Sequence, residues 1–166
     1  LLLGLTIEEN TLIASKTLLK EDPNSKDWIF AKRNGKPSII NCCHLTDSMK
    51  SAKNKNGNYL YRETNILAHL FNVHAIEKIC DISLPYHRAF KKNTFVNDEG
   101  MKQVPESPNT FKFETFIFDA FSLFDDITLL RVDSNDEFAP IKDFNGPHNP
   151  EVAKELYEKK YNYKKH

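Results

Sequence analysis

The chain has 166 residues, 40% of them hydrophobic, and lysine plus arginine equals aspartate plus glutamate at 23 each, so the net charge is zero with histidine neutral. That length and apolar content suffice for one domain with a real core, or for a piece of a larger one. The balanced charge excludes a global basic field that would steer the protein onto DNA, RNA or an anionic membrane, so no nucleic-acid or membrane partner is expected.

Leu1 to Leu5 is too short for a membrane span and lacks the basic flank and cleavage site of a signal peptide. The first residue is not methionine, and residues preceding Leu1 are expected. The first nine positions leave helix and strand open, whereas Ile13-Ala14-Ser15-Lys16-Thr17-Leu18-Leu19 reads as a short strand leading into a loop over Glu21 to Ser25. Trp28 to Arg33 and Lys36 to Cys42 flank Asn34-Gly35, the pair that tolerates positive φ at both centres of a type I′ turn. The spacing predicts a β-hairpin. Thr46 to Lys53 reads as a short helix, followed by a polar loop through Asn58 and a strand end at Tyr59-Leu60-Tyr61.

Thr64 is placed to cap a helical turn carrying Ile66, Leu67, Leu70 and Phe71, and a second helical pattern uses Ile76, Ile79 and Cys80. Leu84 to Lys92 opens near a proline and ends on a lysine pair, which suits an edge strand. Asn97 to Gly100 is a turn, and Pro105 to Pro108 a linker. The stretch Phe111 to Phe121 then reads as an aromatic helix whose core face holds Phe113, Ile117, Ala120, Phe121 and Phe124, with Phe116 at its edge. Phe118 falls off that face, between Glu114 and Ser122, so another element or a ligand must cover it. Ile127 to Val132 is a strand, Asp133 to Glu137 an acidic loop, and Glu151 to Lys160 a final helix with a thin apolar stripe and a basic end continuing to Lys164 and Lys165. Alternating strands and helices indicate an α/β architecture with a mixed sheet.

Generic motifs carry the chemistry no further. Three cysteines, the neighbours Cys42 and Cys43 and the distant Cys80, give neither a metal-ligand spacing nor an even disulfide set, which indicates a reducing, cytoplasmic setting. His69 and His74 do not share a helical face and have no third ligand nearby, and Asp125-Asp126 reads as a surface pair. No Gly-rich phosphate loop, nucleophile elbow or Cys-His pattern occurs.

Three longer runs are more specific: Lys112-Phe113-Glu114-Thr115-Phe116-Ile117-Phe118-Asp119-Ala120-Phe121, then Arg131-Val132, then Asp136-Glu137-Phe138-Ala139-Pro140-Ile141-Lys142. In order and spacing they resemble the eukaryotic UDP-N-acetylglucosamine (UDP-N-acetylhexosamine) pyrophosphorylases. Upstream, Tyr61 to Phe71 is similar to that family's asparagine-isoleucine-x-x-histidine segment, and Leu3-Gly4-Leu5 resembles part of one of its helices. The resemblance implies the C-terminal half of a nucleotide-diphospho-sugar transferase, a Rossmann-like α/β fold with a mixed sheet. It further implies residues 1–143 as the sugar-binding half of the catalytic domain, with the N-terminal nucleotide-binding half absent, and 144–166 as the start of a C-terminal extension.

The implied reaction joins UTP to N-acetylglucosamine 1-phosphate with release of pyrophosphate, assisted by Mg²⁺. A direct displacement at phosphorus needs alignment and positive charge rather than a protein nucleophile. Residue by residue, the resemblance makes Asn65 the amide that reads the sugar, Phe116 and Phe118 the aromatic lining of its pocket, and Lys142 the catalytic lysine near the diphosphate. Asn41 stands where the family usually has a sugar-holding glutamate, and Trp28 where a small residue is expected. Both departures leave UDP-glucose or broader UDP-sugar pyrophosphorylases open, along with a non-catalytic sugar-nucleotide-binding or interaction module. The family's glycine-rich loop would precede these residues, so the chain alone is expected to be inactive.

Overall fold

In the computed structural model, residues 1–20, 22, 24, 25 and 27–161 are described. Lys164, Lys165 and part of the loop expected over Glu21 to Ser25 lie outside them. In chain order the elements begin with α1 (Leu2–Glu8), β1 (Ile13–Leu19), β2 (Trp28–Arg33), β3 (Lys36–Asn41), α2 (Asp47–Ser51), β4 (Glu63–Phe71) and α3 (Val73–Cys80). Next come β5 (His87–Lys91), β6 (Phe95–Val96), β7 (Lys102–Gln103), β8 (Thr110–Glu114), a 3-10 helix over Ile117–Leu123, β9 (Thr128–Arg131), α4 (Ser134–Glu137) and α5 (Pro150–Tyr161).

Five strands form a mixed sheet in the order β3-β2-β4-β1-β9, in which β1 and β9 run parallel and the remaining neighbours antiparallel. The β2–β3 hairpin turns as the sequence predicts, with Asn34 at φ 52° and Gly35 at φ 79°. Its alternation sends Phe30 to one face of the sheet and Ile29 to the other. On the first face Phe30, Ile13 and Ile39 meet Ala75 and Ile79 of α3 and the aromatic residues of the 3-10 helix, making the main core. On the second face Ile29 packs with Cys42, Leu45 and Met49 in a smaller cluster. Strands β5 and β8 form a separate ribbon, and the short β6–β7 hairpin lies between them in the chain.

The helical turn expected after Thr64 is instead the strand β4. Central position decides it: β4 has ladder partners in both β1 and β2, and pairing on two sides overrides a local apolar spacing. A bulge hides the strand signature. Ser15 pairs with His69, but Thr17 pairs with Asn65, and the irregularity holds Leu67 at φ 62° and exposed. The break in two-residue alternation leaves a pattern that mimics a helix.

The aromatic helix expected from Phe111 also divides. Thr110-Phe111-Lys112-Phe113-Glu114 alternates apolar and polar side chains and forms β8, where Phe111 and Phe113 are exposed rather than core. Only after Phe116 does the chain coil, and it coils as a 3-10 helix, with Asp119 N–H donating to the Phe116 carbonyl at 3.0 Å and Phe124 N–H to that of Phe121 at 3.1 Å. At three residues per turn, side chains at i and i+3 eclipse. Phe118, Phe121 and Phe124 therefore form one buried row, and Phe118, off the face of an α-helix, joins the core face of this one.

Phe121 is fully buried and touches two strands, β2 through Phe30 and β4 through His69 and Phe71, at centroid distances of 6.4, 5.2 and 6.1 Å. His69 hydrogen-bonds through Nδ1 to Ser15 Oγ at 2.9 Å, and its buried Nε2 has no partner among the described residues. Burial holds the imidazole pKa below its ordinary value of 6.5. Between that lowered value and the ordinary one the unfolded chain binds more protons, so stability is lost as pH falls through the window. Phe121→Ala is expected to cost about 3–5 kcal/mol in urea unfolding. His69→Met is expected to reduce the loss of urea midpoint between about pH 7.5 and about pH 5; an unchanged pH dependence would exclude His69 as its source.

Candidate functional site

The carboxyl ends of parallel strands are the usual place for a ligand in an α/β sheet, because the chain leaves the sheet there and opens a crevice. Here β1 and β9 end at Leu19 and Arg131, and a cleft of about 770 Å³ lies beyond them, lined by Leu18 to Lys20, Asp22, Asp27, Trp28, Val132 to Asn135, Phe138 and other residues named below. Of the five residues singled out in the sequence, Asn65, Phe116, Phe118 and Lys142 all line this cleft. Asn41 does not: its side chain accepts the Cys43 N–H at 2.9 Å and caps the 3-10 turn Cys42–His44 at the end of β3.

Each of the four is positioned by a local cause. Asn65 Oδ1 accepts the Leu67 N–H at 2.9 Å across the bulge, which fixes the amide plane and leaves its NH₂ as the group available to donate. Phe116 is the last extended residue before the 3-10 helix, and its ring stacks on that of Phe118 at 4.8 Å with planes 8° apart. Lys142 lies on the loop between α4 and α5, held by its backbone N–H donating to the His148 carbonyl at 2.8 Å.

Two further residues line the cleft: Trp28, marked in the sequence only as a departure from the family pattern, and Lys20, which gave no functional signal there. Trp28 opens β2 and packs its indole against Phe116 and Phe118 at 5.4 and 5.1 Å. The third neighbour of the indole is His87 at 6.2 Å, itself bonded through Nε2 to Asp119 Oδ2 at 2.7 Å, so the ribbon is tied to the 3-10 helix beside the aromatic wall. Lys20 follows β1 and is only 6% exposed. Among the described residues its ammonium hydrogen-bonds Cys42 Sγ, at 3.0 Å. A desolvated ammonium with a sulfur acceptor is costly to the fold, and it brings a cation to the cleft wall.

The carboxylates of the cleft are Asp22 and Asp27, from the connection between β1 and β2, and Asp133 after β9, and among the described residues no group of three or more His, Cys, Asp or Glu side chains is placed to hold a metal ion. The described residues do not fit a Mg²⁺ site built by the protein alone; the positive charge lining the cleft is that of Lys20 and Lys142. A second cavity, of about 860 Å³, lies at the other end of β1 and is lined by Glu9 to Leu12, Lys32 and Asp125 to Ile127. It holds none of the aromatic wall, and its Lys32 is already engaged with Asp126 at 3.3 Å. Among the described residues no helix is long and apolar enough to cross a membrane.

No protein-family model matches the chain. Comparison with individual proteins is more informative. The UDP-N-acetylglucosamine pyrophosphorylase of Saccharomyces cerevisiae is 32% identical over 165 residues, covering 93% of this chain and 34% of that protein. Among solved structures, one assigned to a UDP-N-acetylglucosamine pyrophosphorylase of Entamoeba histolytica superposes with a TM-score of 0.83 at 26% identity, over 95% of this chain and 40% of that one. The UDP-N-acetylglucosamine pyrophosphorylase of Trypanosoma brucei, solved with an inhibitor, shares the fold at a TM-score of 0.73 and 24% identity, over 93% and 31% of the two chains. The chain thus spans about a third of the length of the curated relatives it matches.

The buried ammonium yields a prediction about stability. Lys20→Met keeps the aliphatic stem and removes the charge, and is expected to raise Tm by about 2–4 °C for a gain of about 1 kcal/mol, read by thermal denaturation. A lower Tm would mean that the ammonium is well paired in the folded state.

Proposed function

Because the chain is homologous to UDP-N-acetylglucosamine pyrophosphorylases over most of its length, we propose that it is the sugar-binding portion of a uridylyltransferase. The observation that carries the reading is the convergence of Asn65, Phe116, Phe118 and Lys142, from separate segments, on one cleft at the carboxyl ends of β1 and β9.

In this reading the substrates are UTP and N-acetylglucosamine 1-phosphate, and the products UDP-N-acetylglucosamine and pyrophosphate. An oxygen of the sugar phosphate attacks the α-phosphorus of UTP, the new P–O bond forms as the bond from the α-phosphorus to the α,β-bridging oxygen breaks, and pyrophosphate carries away the charge. Asn65 donates its amide N–H groups to sugar hydroxyl or acetyl oxygens while its own oxygen is occupied at the bulge. The stacked rings of Phe116 and Phe118 border the apolar parts of the sugar. Lys142, a flexible point charge on an exposed loop, approaches the diphosphate as it forms, and Lys20 adds a second, rigid cation. The nucleotide-binding half, residues 1–143 as the sugar-binding half, and 144–166 as the start of an extension follow from the same reading. So do Mg²⁺ held chiefly by substrate phosphates, which needs only one or two protein carboxylates, and a cytoplasmic location in keeping with the free cysteines Cys42, Cys43 and Cys80.

The test is pyrophosphate release from UTP by the protein that carries this chain, with N-acetylglucosamine 1-phosphate and with glucose 1-phosphate. Turnover of at least one is expected; none from a folded protein overturns the reading. Asn65→Ala is expected to raise KM for the sugar phosphate about tenfold with little change for UTP, whereas Lys142→Ala is expected to lower kcat about a hundredfold. Equal effects of Asn65→Ala on both substrates would remove its sugar role.

A further inference from the structure

Trp28 stands where the resemblance expects a small residue, and the structure shows what the indole does there. It is half-buried, lines the cleft and contacts Phe116 and Phe118, while the edge contact with His87 closes another side. The Phe116 and Phe118 rings behind it are themselves parallel and 4.8 Å apart, and Phe118 is only 3% exposed. The indole is therefore immobilised by the rim of the core, and the part of its surface that remains accessible belongs to the cleft. A large, rigid aromatic face with little rotamer entropy left to lose suits the CH face of a pyranose ring.

Resting on the sugar-binding reading above, we propose that Trp28 is the specificity-determining residue of the cleft: its indole stacks on the hexose ring and takes the space in which a C2 substituent would otherwise be read. Main recognition then falls on the ring, which glucose 1-phosphate and N-acetylglucosamine 1-phosphate share. The two sugar phosphates bind with affinities within about threefold of each other. A small residue at position 28 reopens an apolar recess for the acetyl methyl and favours the N-acetylated sugar by about tenfold, the scale of discrimination that a small apolar group provides in a pocket.

Trp28 is the only tryptophan of the chain, so its emission reports on the cleft alone. The 166-residue chain is titrated with glucose 1-phosphate, with N-acetylglucosamine 1-phosphate and with inorganic phosphate, followed by both tryptophan fluorescence and calorimetry. Both sugar phosphates are expected to shift or quench the emission and inorganic phosphate to leave it unchanged; Trp28→Phe is expected to keep most of the affinity and Trp28→Gly to lose it for glucose 1-phosphate about tenfold more than for the N-acetylated sugar. Calorimetric binding with silent fluorescence overturns the stacking role and leaves the sugar-binding reading intact, as does a preference of the wild-type chain for one sugar phosphate greater than about thirtyfold. If neither sugar phosphate binds by calorimetry, the sugar-binding reading falls and the role of Trp28 falls with it. The wild-type titration decides between these results even where Trp28→Gly does not fold.

Discussion

The three-residue period of the helix Ile117–Leu123 is the constraint on which the rest of the molecule depends. Because Phe118, Phe121 and Phe124 eclipse one another, a short and intrinsically weak helix delivers three buried rings in one row against the sheet. Phe121 sits in the middle and joins β2 and β4 through Phe30, His69 and Phe71. Phe118 extends the row outward to Trp28 and Phe116, so the aromatic wall of the cleft is the outer margin of the main core. Its geometry is fixed by the same contacts that stabilise the fold, and little ordering remains to be done when a ligand arrives.

Much of the scaffold is legible from local chemistry. The Asn34-Gly35 pair specifies the hairpin, the β-branched and apolar run from Ile13 specifies β1, and Ile79 marks the buried side of α3, where Ala75 joins it while Ile76 is exposed. Two of the misread stretches fail for separate physical reasons, while a third, the acidic run expected as a loop, closes into α4 through the Asp133 cap. β4 takes its conformation from neighbours distant in sequence, and its bulge erases the alternation that would have identified it. The aromatic stretch changes conformation twice within a few residues, and a single assumed period of 3.6 merges a strand and a 3-10 helix. Of the cleft, the four residues named through the family resemblance lie together, and Asn41 turns away to serve its own backbone. Lys20 was invisible because one lysine at a strand end is normally solvated; only the fold reveals that this one is buried.

Stability is distributed unevenly around this cleft. Glu63 on β4 binds both Thr17 on β1, at 2.8 Å, and Arg131 on β9, so one carboxylate spans the three strands whose ends form the cleft. Opposing it are the desolvated Lys20 ammonium at the cleft and, against the core ring of Phe121, the His69 Nε2, which has no partner among the described residues. Of the two, Lys20 lines the cleft, where an anion from outside would complete the compensation for its burial.

The bulge in β4 also determines which side chain the cleft receives. With Ser15 opposite His69, an uninterrupted antiparallel ladder would bring Leu67 opposite Thr17; the observed register brings Asn65 there instead. Two additional residues thus exchange an apolar position for an amide without altering a single letter near it, and Leu67 is displaced outward into a left-handed conformation. Chemical identity at this wall is encoded in strand length as much as in residue type. A deletion of Ile66 and Leu67 would keep Asn65 opposite Thr17 in an unbroken ladder and still remove the Leu67 N–H that fixes the plane of its amide.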